Sequence, residues 1–152
     1  MRRVYWSFFN GLQCANDVKI EKGIRINSLG SLKLNSGVRI NSSKARKTEL
    51  FVGVGAQLEV GKGSFINAGT RISCSESITF GENCLIGDEC LFLDNSYHSL
   101  TKNESIRKGP IILGNNVWIG SRVIVLPGID IGEGSVIGSG SVVTKSIAPG
   151  SF

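Results

Sequence analysis

The chain has 152 residues, which suits a single domain with its own core. Seventeen Lys and Arg against twelve Asp and Glu give a formal charge of +5 and a pI near 9.2. The excess is diffuse, with no arginine-rich helix, ribonucleoprotein motif or zinc finger. That argues against nucleic acid and leaves either a solvated basic surface or an anionic ligand, such as a nucleotide-bearing cofactor or an acidic polysaccharide.

The first 19 residues read as a unit apart. Val4, Tyr5, Trp6, Phe8 and Phe9 follow Arg2 and Arg3 and ask for burial. The run is too short for a secretory signal or a membrane span, so a cytoplasmic protein is expected. Residues 1–19 are predicted to cap one end of the core built by residues 20–152. Contact of residues 4–9 with a membrane surface or a partner enzyme is the other reading.

From residue 20 onward, aliphatic residues recur every six positions. Ile20 to Ile26 and Leu34 to Ile40 are short runs. Val54, Val60, Ile66 and Ile72 form a third, and Phe80, Ile86 and Phe92 a fourth. From Leu113 to Ala148 the period is strict: Leu113, Ile119, Val125, Ile131, Ile137 and Val143 are the anchors. Gly114, Gly120, Gly132 and Gly138 each follow one of them, and Val117, Val123 and Ile129 stand four places after theirs. A period of six fits neither a helix nor an open strand. It fits a chain that turns a corner after each short strand and winds into a coil, three corners to a turn of about 18 residues. Seven or eight such turns are expected, all-β, with the aliphatic anchors stacked as the core. A barrel would not hold this register.

Four cysteines occur without a CxxC pair. Cys84 and Cys90, six apart, fall on small core positions and are expected as reduced thiols. With one histidine in the chain, no metal site is expected.

Between Phe92 and Leu113 the repeat breaks. The segment is polar and aperiodic, so residues 93–112 are predicted to leave the coil as one long loop, the usual place for function on a rigid scaffold. The only histidine, His98, stands near its start, four residues after Asp94. An imidazole suits general-base chemistry near neutral pH. Asp94 reads either as the partner that fixes the imidazole tautomer or as a solvated loop residue.

Segments 112–121 (ILGNNVWIGS), 127–132 (PGIDIG), 136–145 (VIGSGSVVTK) and 94–99 (DNSYHS) together resemble the hexapeptide-repeat acyltransferases. The likeness is to the branch that O-acetylates sugars and surface polysaccharides, with galactoside and maltose acetyltransferases as relatives in pattern. It implies a left-handed parallel β-helix over residues 20–152, acetyl-CoA as co-substrate, a saccharide acceptor, and a homotrimer with active sites between subunits. It implies His98 as general base in direct attack, without an acyl-enzyme. The backbone at Ser121 is implied as the oxyanion donor. Trp118, Ser121, Ser139, Thr144 and Lys145 are implied to line the coenzyme groove, with Lys145 near phosphate. Asn67 matches an acceptor-binding position, although a corner Asn is an equal reading, and Trp118 reads equally as packing between subunits. The rival functions are N-acetylation of an amino sugar or sugar nucleotide, and a non-catalytic β-helix assembly protein.

Overall fold

The computed structural model describes residues 11–98 and 106–152, and residues 5–9 as backbone. The described chain is all-β and forms a parallel β-helix. The first turn holds β1 (Tyr5–Phe9), β2 (Leu12–Cys14) and β3 (Lys19–Ile20), and the second β4 (Arg25–Ser28), β5 (Ser31–Leu34) and β6 (Arg39–Ile40). The third holds β7 (Glu49–Val52), β8 (Gln57–Val60) and β9 (Phe65–Ile66), and the fourth β10 (Arg71–Cys74), β11 (Ser77–Phe80) and β12 (Leu85–Ile86). The fifth holds β13 (Leu91–Leu93), β14 (Ile111–Leu113) and β15 (Trp118–Ile119), and the sixth β16 (Ile124–Val125), β17 (Asp130–Ile131) and β18 (Val136–Ile137). A seventh opens with β19 (Val142–Val143). It continues through a bridge from Ile147 to Ile131 and a bond from the Val136 amide to the Ser151 carbonyl.

Every third strand pairs in parallel, giving three faces: A (β1, β4, β7, β10, β13, β16, β19), B (β2, β5, β8, β11, β14, β17) and C (β3, β6, β9, β12, β15, β18). The inward positions stack in register. Face C carries Ile20, Ile40, Ile66, Ile86, Ile119 and Ile137 one above another. Face A carries Ile26, Leu50, Ile72, Phe92, Val125 and Val143. β-Branched residues suit these short, half-buried flats, and each one buried contributes roughly 1.5–3 kcal/mol. Cys74, Cys84 and Cys90 are buried within this core.

The turns are longer than 18 residues through most of the chain. Successive partners Tyr5, Arg25, Glu49, Arg71, Leu91, Ile124 and Val142 give turns of 20, 24, 22, 20, 33 and 18 residues. The count is therefore six full turns and part of a seventh, below the seven or eight read from the repeat. Four-residue strands in the early turns add two residues each, a structured excursion at residues 41–48 lengthens the second turn, and the fifth carries the long loop. The extra residues also displace one expected anchor: Val54 is 81% exposed at a corner, and Val52 and Ala56 are buried on either side of it.

Corner polar groups are satisfied by a recurring device. Ser64 Oγ donates to the Gly81 carbonyl and accepts from the Cys84 amide, and Thr70 does the same between Gly87 and Cys90. Among the described residues no buried side-chain N or O lacks a partner. This matters because an unpaired buried polar group costs about 1–3 kcal/mol.

Candidate active site on two edges of the coil

The long loop leaves the coil at the edge between faces A and B. Its strand limits are Leu93 and Ile111. The two limbs of its root run antiparallel: Asn95 bridges Lys108, the Ser96 amide donates to the Arg107 carbonyl at 2.9 Å, and the Gly109 amide donates to the Asp94 carbonyl at 3.1 Å. His98 stands exposed just beyond this stem, and its carbonyl accepts from Ser96 Oγ at 3.0 Å.

The hydrogen bonds of the Asp94 carboxylate go to the coil wall. Asp94 is fully buried, and its carboxylate accepts from the Ser75 amide at 2.7 and 2.9 Å and from the Glu76 amide at 2.7 Å. These donors belong to the corner one turn earlier, so the carboxylate stitches the loop root to the coil wall. The short loop spacing that invited the tautomer reading says nothing about direction, and two free amides at a corner are the stronger attraction for a buried anion. The charge is also felt by the nearby Cys74 thiol: burial, then Asp94, pushes its pKa up to about 12. Burial likewise raises those of Cys84 and Cys90. None of these thiols is a nucleophile at neutral pH.

A second set of groups lines the edge between faces C and A. A groove of about 450 Å³ is bordered by Asp88, Ser121, Arg122, Ser139 and Gly140. Ser121 Oγ donates to Asp88, the Ser121 amide donates to Ser139 Oγ at 3.1 Å, and Arg46 pairs with Asp88 at 2.7 Å. The Ser121 hydroxyl first, then Arg46 and Arg122, hold the Asp88 carboxyl below the ordinary carboxylate range. Arg122 adopts φ 58° and pairs with Glu89, one turn earlier on the same edge, at 2.9 Å. Asn67 lies higher on this edge. Its Oδ1 accepts from the Ala68 amide at 2.9 Å and from Asn41 at 3.3 Å.

The expected site residues are thus brought into two groups. Asn67, Ser121 and Ser139 follow face-C strands and share the C/A edge. Asp94, His98, Thr144 and Lys145 follow face-A strands and share the A/B edge. Trp118 stands apart on face C, 56% exposed, in register with Leu85 and Val136. His98 is not among the residues that border the Ser121 groove.

Two features escaped the sequence reading. Asp88 is the counterpart of Ser121 one turn earlier, but the 33-residue turn between them hides the match. Arg46 sits in the excursion of the second turn, where no repeat position points to it. Among the described residues no group of His, Cys, Asp and Glu has the arrangement of a metal site, and no helix is long and apolar enough to cross a membrane.

Residues 110–145 match the model of the bacterial transferase hexapeptide, six repeats. Over residues 110–145 the coil is therefore similar to bacterial transferase hexapeptide repeats. Several solved structures are similar to this coil. Galactoside acetyltransferase in complex with coenzyme A is 34% identical over 74% of this chain and 56% of its own, with a TM-score of 0.61. A hexapeptide-repeat acetyltransferase of Vibrio cholerae O1 biovar eltor, complexed with acetyl coenzyme A, is 28% identical over 75% of this chain and 63% of its own, TM-score 0.61. AntD, an N-acyltransferase from Bacillus cereus solved with dTDP and coenzyme A, shares the fold at 23% identity over 90% of this chain and 75% of its own, TM-score 0.72. The chain spans less than two thirds of the length of the first two. No curated protein matches the sequence significantly.

Proposed function

We propose that this hexapeptide coil is an acyltransferase that moves an acetyl group from acetyl-CoA to a hydroxyl of a saccharide. The observation that carries the reading is the exposed position of the only histidine, just beyond a hydrogen-bonded stem that leaves the coil. The likeness to an acetyltransferase solved with acetyl coenzyme A and to galactoside acetyltransferase supports this donor and this acceptor class.

In this reading His98 takes the proton of the acceptor hydroxyl as its oxygen attacks the thioester carbonyl. The tetrahedral oxyanion collapses, the C–S bond breaks, and the imidazolium returns the proton to the leaving thiolate. The products are the sugar ester and free coenzyme A. A positioned base contributes about 10²–10⁴-fold, and a backbone donor to the oxyanion about as much. The Ser121 amide takes the latter role, exchanging its bond to Ser139 Oγ for the substrate oxygen. Trp118, Ser139, Thr144 and Lys145 hold the coenzyme, with the Lys145 ammonium for phosphate, and Asn67 binds the acceptor.

The two edges meet in a homotrimer, where the A/B edge of one protomer faces the C/A edge of the next. Face C supports such packing through the outward column Phe65, Leu85, Trp118 and Val136. Apolar exposure of this kind marks an interaction surface.

The test is His98→Ala, assayed for thioester cleavage with a panel of sugars, oligosaccharides and amino sugars, alongside calorimetry of coenzyme A binding. Transfer to hydroxyls is expected to fall about 10²–10⁴-fold with coenzyme binding unchanged. Wild-type turnover on hydroxyl acceptors in this variant defeats the assignment. Retained turnover on amino sugars alone favours N-acylation, since an unprotonated amine attacks without a strong base.

A further inference from the structure

The imidazole just beyond the loop stem needs a fixed approach, and Asp94 is engaged elsewhere. The neighbouring Tyr97 has three features that solvent exposure alone does not explain. Its backbone sits at φ 58°, the left-handed region that a bulky residue avoids. Such conformations persist only where the surroundings over-determine them, and they cluster at functional sites. Its amide donates to Asn95 Oδ1 at 2.8 Å, closing a tight local turn from a nearly buried Asn. Its phenol oxygen reaches back to the preceding turn and lies 2.6 Å from Ser73 Oγ and 2.9 Å from Ser75 Oγ.

Burial cannot account for this placement, because Tyr97 is 43% exposed. Its hydroxyl, shared between two serine hydroxyls on the coil wall, is what ties the ring down. The same wall residue, Ser75, gives its amide to Asp94. Residues 94 and 97 therefore grip one corner from two sides, and the chain between them is locked through Ser96, which accepts from the Arg107 amide at 3.2 Å and donates to the His98 carbonyl. The next side chain along is the imidazole.

We propose that Tyr97 is a positioning residue for His98, acting through its hydroxyl contacts with Ser73 and Ser75. The inference rests on His98 being the general base, but its physical part, the ordering of the imidazole, stands independently. Orientation of a base governs rate more than binding: a displacement of about 1 Å can cost 10²-fold.

The experiment uses Tyr97→Phe, which keeps the ring and removes the hydroxyl, and the double variant Ser73→Ala/Ser75→Ala, which removes its partners. His98 is the only histidine, so its imidazole Cε1–H signal in solution NMR needs no assignment. In wild type one line is expected. In Tyr97→Phe that line is expected to shift and broaden, with kcat lower by about 10- to 100-fold and KM for acetyl-CoA within about twofold. The double variant is expected to reproduce the change, and the triple variant to add little to it, since both remove the same contacts. An imidazole signal in Tyr97→Phe identical to wild type overturns the proposal, as does full additivity in the triple variant. If His98→Ala retains turnover, the function reading falls, and the imidazole signal still decides whether Tyr97 orders that ring.

Discussion

Cys74 combines two causes that act in the same direction. It is enclosed in the aliphatic stack, donates to the Gln57 carbonyl at 3.2 Å, and lies near the buried Asp94 charge. Both desolvation and a neighbouring anion disfavour the thiolate. A folded-state pKa raised from 9.0 to about 12 means that the folded protein holds its proton more tightly than the unfolded chain. The stabilisation is therefore complete below pH 9.0 and is lost as pH rises toward about 12. The urea midpoint is expected to fall across that interval, and Cys74→Ala is expected to make the fall less steep. An unchanged slope in that variant assigns alkaline unfolding to other groups. The same burial gives a simpler readout. Cys14 is exposed while Cys74, Cys84 and Cys90 are buried, so a thiol reagent is expected to titrate one cysteine in the native protein and four in denaturant.

At the scale of the strand and its corner, the coil is held by how closely successive turns approach. A Cβ on Gly61 would lie 2.3 Å from the Gly81 carbonyl oxygen and 2.8 Å from the Glu82 amide, all rigid backbone. At Gly134 nothing lies within 4 Å, but φ is 69°. The first glycine is required by space and the second by conformation, and the two costs differ. Gly61→Ala is expected to lower stability by about 1–3 kcal/mol or more as two turns are pushed apart. Gly134→Ala is expected to cost about 1–2 kcal/mol. Denaturant midpoints that rank the two in the opposite order would refute this division. The distinction also explains what the sequence could tell. Over residues 113–148 the strands are two residues long, the turn is 18, and the six-residue period reads directly as inward anchors. In the earlier turns four-residue strands lengthen the corner-to-corner distance, so a spacing of six lands on Val54, which faces solvent, instead of on Val52. The period survives in three dimensions as register, where Ile66, Ile86 and Ile119 still stack, although Ile86 and Ile119 are 33 residues apart.

The whole molecule poses a geometric problem that no single residue reveals. His98 was legible in the sequence because it is alone and stands where the repeat fails. Its separation from Ser121 was not legible, because the edge a residue occupies depends on the sum of all turn lengths before it. The coil sets the imidazole on the A/B edge and the Ser121 groove on the C/A edge, with face A between them. If catalysis needs both, a closed ring of protomers related by rotation supplies them, each site taking one edge from each neighbour. The consequence is complementation. His98→Ala removes only the base, and Ser139→Arg obstructs only the groove, so either homogeneous assembly is expected to be inactive. When the two variants are mixed one to one, dissociated and reassembled, a site recovers both intact halves with a probability of about one quarter. Activity near that fraction of wild type is expected in the mixture, rising with protein concentration as the ring forms. A mixture as inactive as its parents, in samples shown by sedimentation to be reassembled, would place both halves of the site on one protomer and exclude the shared arrangement.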